Sequence, residues 1–323
     1  MIKFVATFLL LLPVSVKASE QPSLSGVDPA AITSVSVVLP SAQQIVAEEP
    51  LSEVQPPLTA PDRTSDYYFN SYVLKAVNYL NKNYGLKGYN IKAVLTHDID
   101  YSDQGVIKAT KPPQTMCVAA AMEVILTAYQ IYSQETGDYS PYKYLPKSSY
   151  EKLAADDIKG HIWVNHDFNS YGTADALINF GMGQRVKFES LKPGSFININ
   201  RTTNTGHAVV FINYLNNKGE EQNYYNDSVI GFKYFSSQGG SEAGKGGFSY
   251  RYAIFSKYGC PALSGDKQRD CNVIYSENQK YLNTGMMLSP KNWSGVIPQA
   301  SSRTGESVFD GEYFNGKTTD DPR

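Results

Sequence analysis

Apolar positions change their period part-way along this chain. Up to about residue 180 they recur at three and four positions; from Gly194 onward they alternate or gather in short β-branched and aromatic blocks. Tyr68, Phe69, Tyr72, Val73, Ala76, Val77 and Leu80 follow the helical spacing. The helix they predict ends at Asn83-Tyr84-Gly85, where glycine can take the left-handed cap. Val118 through Tyr129 is apolar almost all round, which predicts a buried central helix. Thr115 is placed to cap that helix, which puts Cys117 in its first turn. Further helices are expected over 149–156 and 173–180, the second capped by Thr173 and stopped by Gly181. Val94-Leu95 reads as the start of an early strand. The main strands are expected at 194–200, 208–214, 229–235 and 250–255, with a polar turn at 216–220. Helices followed by a meander of strands indicate an α+β fold with a segregated antiparallel sheet.

The flanks have a different character. Residues 1–18 read as a signal peptide: Lys3 supplies the charge, Phe4 to Val16 the apolar run, and Val16-Lys17-Ala18 the cleavage site. The run is shorter than the ~20 apolar residues of a comfortable span. The expectation is therefore export, to the periplasm or beyond, with no stable membrane insertion after signal removal. Prolines crowd residues 19–66 and large apolar residues are few, so this stretch reads as a disordered linker or prosegment. The folded domain is expected over 67–286, followed by a polar tail over 287–323.

Composition adds two constraints. A formal net charge of −2 provides no general attraction to nucleic acid, so none is expected as a partner. Of three cysteines, Cys260 and Cys271 lie in a loop-like stretch and are expected to pair in an oxidising compartment. Cys117 is then alone, either buried and inert or reactive.

Position argues for reactivity. The N–H groups and dipole of a helix N-terminus favour the thiolate, which is the nucleophile, and a histidine beside it can exchange its proton. Among four histidines, His207 opens an apolar strand, a rigid place for a general base. His97, and His161 with His166 in a polar loop, read as surface residues; with Asp98, Asp100 and Asp167 they match no zinc signature, and no metal or other cofactor is expected. The Cys117 N–H, with the Gln114 side chain just upstream, could hold an oxyanion. A third group should orient the histidine ring from the neighbouring strand. If the strand after His207 returns as a hairpin, its end brings Gln238 or Ser237 alongside; if 222–226 pairs with the His207 strand instead, Asn226 or Asp227 takes the role. Gln238 is preferred.

Leu191-Lys192-Pro193-Gly194-Ser195-Phe196, followed by Gly206-His207-Ala208-Val209-Val210-Phe211, resembles the second half of NlpC-type and CHAP-type cysteine amidohydrolases. Their cysteine also opens a helix earlier in the chain, and the resemblance covers about residues 110–256. It implies a papain-like domain, with the cysteine helix packed on an antiparallel sheet, that cleaves amide bonds, typically in bacterial cell-wall peptides. This chain departs from the pattern in two ways: the span from Cys117 to His207 is longer than usual, and Met116 stands where those families carry Asp or Gly. The expected function is an exported thiol hydrolase acting on peptide or peptidoglycan stem peptides. The alternatives are a protein deamidase or transglutaminase-type enzyme, and a non-catalytic binding module on the same scaffold.

Overall fold

The computed structural model describes residues 66–147, 171–203, 205–265 and 267–294. The expected signal peptide, the spacer up to residue 65, the helix over 149–156, and His161, His166 and Asp167 lie outside them.

Helix α1 (Asn70–Tyr84) buries Val73, Ala76, Val77 and Leu80, the stripe its spacing predicts. It packs against α2 (Cys117–Thr136), in which every residue from Cys117 to Tyr129 is buried. Gly137 closes α2 in the left-handed conformation, its N–H donating to the Ser133 carbonyl at 2.9 Å. Thr115 does not cap α2. The cap is Met116 in extended conformation, without a side-chain hydrogen bond, and Cys117 is the first helical residue. The first-turn donors are therefore left free of a side-chain cap. Short helices α3 (Ser140–Tyr144) and α4 (Thr173–Asn179) follow. Thr173 does not cap its helix either: it lies inside α4, and its N–H donates to Asn198 Oδ1 at 2.9 Å.

Val94-Leu95 forms no strand; a two-stranded ribbon, β1 (Ile99–Asp100) with β2 (Val106–Ile107), comes later. The main sheet contains β3 (Gly183–Arg185), β4 (Phe196–Asn200), β5 (Gly206–Asn216), β6 (Glu221–Gln222), β7 (Val229–Gly239), β8 (Gly246–Phe255), β9 (Arg269–Val273) and β10 (Leu282–Met287). Its order is β3-β10-β4-β5-β7-β8-β9, with β6 on the far end of β5. Every pairing is antiparallel except β8 with β9. The class is α+β, as expected. The end of β9 meets the end of β4: Thr202 N–H donates to the Asn272 carbonyl and Ile274 N–H to the Asn200 carbonyl, each at 2.9 Å.

Alternation along the strands sorts their residues between separate cores. Ala208, Val210, Phe235 and Phe248 join the helices. Val209, Phe211, Phe232, Tyr234 and Phe255 belong to the second cluster, gathered around Phe188, whose ring lies 5.1–6.4 Å from six others in edge or tilted contact. The domain also runs past the boundary expected at 286. Leu288 N–H donates to the Met182 carbonyl at 2.8 Å, and Trp293 packs on Tyr144 and Tyr129 while its Nε1 donates to the Leu288 carbonyl. A polar tail therefore does not begin at 287. The Cys260–Cys271 disulfide is formed, with Cα atoms 5.6 Å apart. Among the described residues no helix is long and apolar enough to cross a membrane.

Candidate active site

The N-terminus of α2 meets the first residues of β5, and there the chemistry collects. The His207 side chain and the N–H groups of Ala208 and Val118 face the Cys117 thiol and act on its ionisation. Val118 N–H is one of the donors that an N-cap side chain could otherwise have taken. Burial pushes the thiol pKa up, but the charge and hydrogen bond of His207, with the two backbone N–H groups, outweigh it and bring the value from 9.0 to about 7. Cys117 keeps 8% of its surface, so it is sheltered without being sealed.

On the other side of the imidazole, His207 Nε2 lies 2.9 Å from Gln238 Oε1. That leaves Nδ1 as the ring nitrogen for the thiol. With Nε2–H donating to the amide oxygen, Nδ1 is free to accept the thiol proton. The contact follows from strand register. β5 and β7 pair Val210 with Phe235, and the same register carried to the end of the strands sets His207 opposite Gln238. Gln238 also touches Ser249: its Nε2 lies 3.3 Å from Ser249 Oγ.

The alternation that turns Gln238 toward His207 turns Ser237 away. Ser237 Oγ donates to the Thr115 carbonyl at 2.9 Å and ties β7 to the residues before α2. Asn226 and Asp227 precede the opposite end of β7, whose Val229 pairs with Asn216. Nine residues of β5 separate them from His207, roughly 30 Å of strand. Asn226 instead closes a local turn, accepting from Ser228 N–H at 2.9 Å.

Gln114 is occupied at both ends of its amide. Nε2 donates to the Ser241 carbonyl at 2.8 Å and Oε1 accepts from Asn90 Nδ2 at 2.9 Å. It fastens the segment before α2 to the 88–90 loop, and only its second Nε2 hydrogen is left for an oxyanion. The same loop delivers a residue that sequence reasoning missed. Tyr89 pairs with Thr115 in a parallel bridge, and its N–H donates to the Gly240 carbonyl at 2.9 Å. Burial, then the charge of Cys117, pushes the Tyr89 hydroxyl well up, against a downward pull from Arg201. The hydroxyl thus stays protonated, a neutral donor within electrostatic reach of the thiol. Gly88 has φ +102°, and a Cβ there would lie 2.3 Å from the Ser241 carbonyl oxygen; the close approach requires glycine.

Arg201, Tyr234 and Asp270 were also missed, since no motif marks them. Arg201 and Tyr234 both bond the Asp270 carboxylate. Tyr234 meets the His207 ring edge-on, centroids 5.8 Å apart. The remaining histidine among the described residues has a structural setting. His97 Nδ1 lies 3.1 Å from the buried Glu123 carboxylate, and its ring stacks on Tyr84 at 4.1 Å. Asp98 binds Lys108 and the Ala109 N–H, and no group of three or more potential metal ligands occurs among the described residues.

The chain matches no family model, and neither a curated protein nor a solved structure matches it.

Proposed function

We propose that this chain is an exported cysteine amidohydrolase of the papain-like kind, acting on peptide amides, with peptidoglycan stem peptides as its substrate class. One observation carries the reading: a thiol at a helix N-terminus, with its pKa lowered to about 7 by His207, shares its site with an imidazole whose Nε2 is held by an amide oxygen. An inert core cysteine needs none of these three features. The depressed pKa also weighs against a non-catalytic module, for which burial alone would drive the thiol upward.

In the proposed reaction the Cys117 thiol gives its proton to His207, and the thiolate attacks the amide carbon. A C–S bond forms and the carbonyl oxygen takes the charge. The Cys117 N–H, with the Tyr89 hydroxyl and the free Gln114 N–H as candidate partners, stabilises that oxyanion. The imidazolium then protonates the leaving nitrogen and the C–N bond breaks. Water, deprotonated by His207, attacks the thioester, and the thiolate departs. Gln238 holds the ring in the tautomer that both proton transfers need. No cofactor enters these steps.

The test is release of soluble muropeptides from purified sacculi by the mature protein and by Cys117→Ala. Release that disappears with Cys117→Ala supports the reading, and product masses name the bond. No release from either protein would refute the wall-hydrolase assignment. Incorporation of an amine donor into protein would then identify the transamidating alternative.

A further inference from the structure

We infer that Arg201 is a further member of this site, a positioning residue whose guanidinium, braced by Asp270 and Tyr234, stabilises the Cys117 thiolate. The inference rests on the thiol-hydrolase reading and adds to it a charged group that no part of the proposed mechanism uses.

Strand geometry brings these residues together. β4 and β5 pair Ile199 with His207, and Arg201 follows Ile199 by two, so both side chains leave the same face at the same end of the sheet. Tyr234 and Gln238, two steps of alternation apart on β7, share that face. Asp270 arrives from β9, because the chain just past it pairs with the end of β4: Arg201 bridges Val273. Its carboxylate accepts Arg201 Nε at 2.7 Å and Nη2 at 2.5 Å, a bidentate fork, while Tyr234 donates its hydroxyl to Oδ2 at 3.0 Å. Arg201 Nη1 is 3.2 Å from Thr205 Oγ1, two residues before His207. The side chains of Arg201 and Asp270 are only 18% and 12% exposed, so the pair is neither a solvated surface bridge nor easily screened.

A buried ion pair of this kind contributes little net stability, and apolar replacements commonly do as well. Its placement has a consequence for the thiol. The cation sits within electrostatic reach of Cys117, which favours the charged guanidinium in return. Other titratable or charged groups at this corner are His207 from β5, Tyr89 from the loop before α2, Tyr234 from β7, Arg251 from β8 and Asp270 from β9. Among these, His207 exchanges its proton during the reaction, whereas Arg201 keeps its charge throughout. It therefore favours the thiolate both before and after His207 has given its proton away. Asp270 offsets part of this influence, so the effect is modest.

Cys117 is the only free cysteine of the three, so alkylation by iodoacetamide under non-reducing conditions reads this thiol alone. The rate is followed by mass spectrometry from pH 5 to 10 for the full chain, Arg201→Gln, Arg201→Lys and the double variant Arg201→Gln/Asp270→Asn. Circular dichroism confirms the fold. With Arg201→Gln the apparent thiol pKa rises by about 0.5–1, a fraction of what an unopposed neighbouring charge would produce. At pH 6 alkylation slows about two- to four-fold, since a more basic thiolate is also a better nucleophile. Arg201→Lys restores most of the difference. If stranding Asp270 unfolds Arg201→Gln, the double variant removes both charges together and is expected to show the same direction of change. A folded variant with the unaltered profile overturns the inference, as does an Arg201→Lys protein no better than Arg201→Gln. These outcomes differ from failure of the parent reading. In that case Cys117 of the unaltered protein itself titrates near 9.0, and His207→Ala leaves it there.

Discussion

Replacing His207 by alanine tests the central pairing without any substrate. In the intact site the thiol has a pKa of about 7, because His207 and two backbone N–H groups overcome the opposing effect of burial. Without the imidazole, burial acts against weaker opposition, and the pKa is expected to return to about its ordinary 9.0. At pH 7 about half of the thiol is ionised in the intact protein and about 1% in the variant, a ratio of roughly 50. Part of this is cancelled, because nucleophilicity rises with basicity: at a Brønsted slope of ~0.4–0.5, two pKa steps return about six- to ten-fold. The net expectation is alkylation roughly five- to eight-fold slower in His207→Ala at pH 7. Near pH 10 both thiols are ionised and the variant becomes the faster by about six- to ten-fold, so the two profiles cross at roughly pH 8. Rate against pH with iodoacetamide, read by mass spectrometry, provides both curves. A change in access to the sulfur would scale the whole curve and leave its midpoint in place. Profiles that share a midpoint and never cross would refute the argument that His207 sets the ionisation of Cys117.

Gln238→Ala is expected to lower kcat by roughly ten-fold or more with little change in KM, because the ring loses the partner that selects its tautomer. Gln238→Glu, which keeps an acceptor oxygen, should retain more activity; equal kcat in all three proteins would remove Gln238 from the site. Trp293→Ala should cost about 3–5 kcal/mol in chemical denaturation, as for other buried aromatic deletions, and an unchanged midpoint would place Trp293 outside the folded domain. Cys260→Ser with Cys271→Ser opens a loop of 11 residues' separation and should cost up to about 3 kcal/mol in a thermal melt. Because Cys271 adjoins Asp270, the same variant is expected to shift the Cys117 alkylation profile toward that of Arg201→Gln.

Local pattern carried a good deal. The apolar stripe of α1, the all-round apolar face of α2 and the blocks that became β4, β5, β7 and β8 were legible because side-chain period and secondary structure are the same physical fact. Cys117 at a helix start and His207 at a strand start were legible for the same reason. The hairpin return of β7 even indicated Gln238, since antiparallel pairing is an arithmetic of register. What escaped had no local signature. The strand β10, Leu-Asn-Thr-Gly-Met-Met, does not alternate, because its residues are buried on both faces of the sheet. The strand β9, Arg-Asp-Cys-Asn-Val, reads as a polar loop and is held by pairing with β8.

Sequence by itself therefore determined most of the main helices and strands, their order, and the places of Cys117 at a helix start and His207 at a strand start. Only tertiary structure decided who stands around them: Tyr89 arrives through a bridge to Thr115, and Asp270 through the passage of β9 beside the end of β4. Thr115 has the chemistry of a cap and does not act as one, leaving Val118 N–H to the thiol. The reason is common to all three. A residue's helix or strand preference is set within a few neighbours, whereas the charge it feels and the partner it bonds are set by segments far away in the chain, whose approach is governed by how sheet and helices pack.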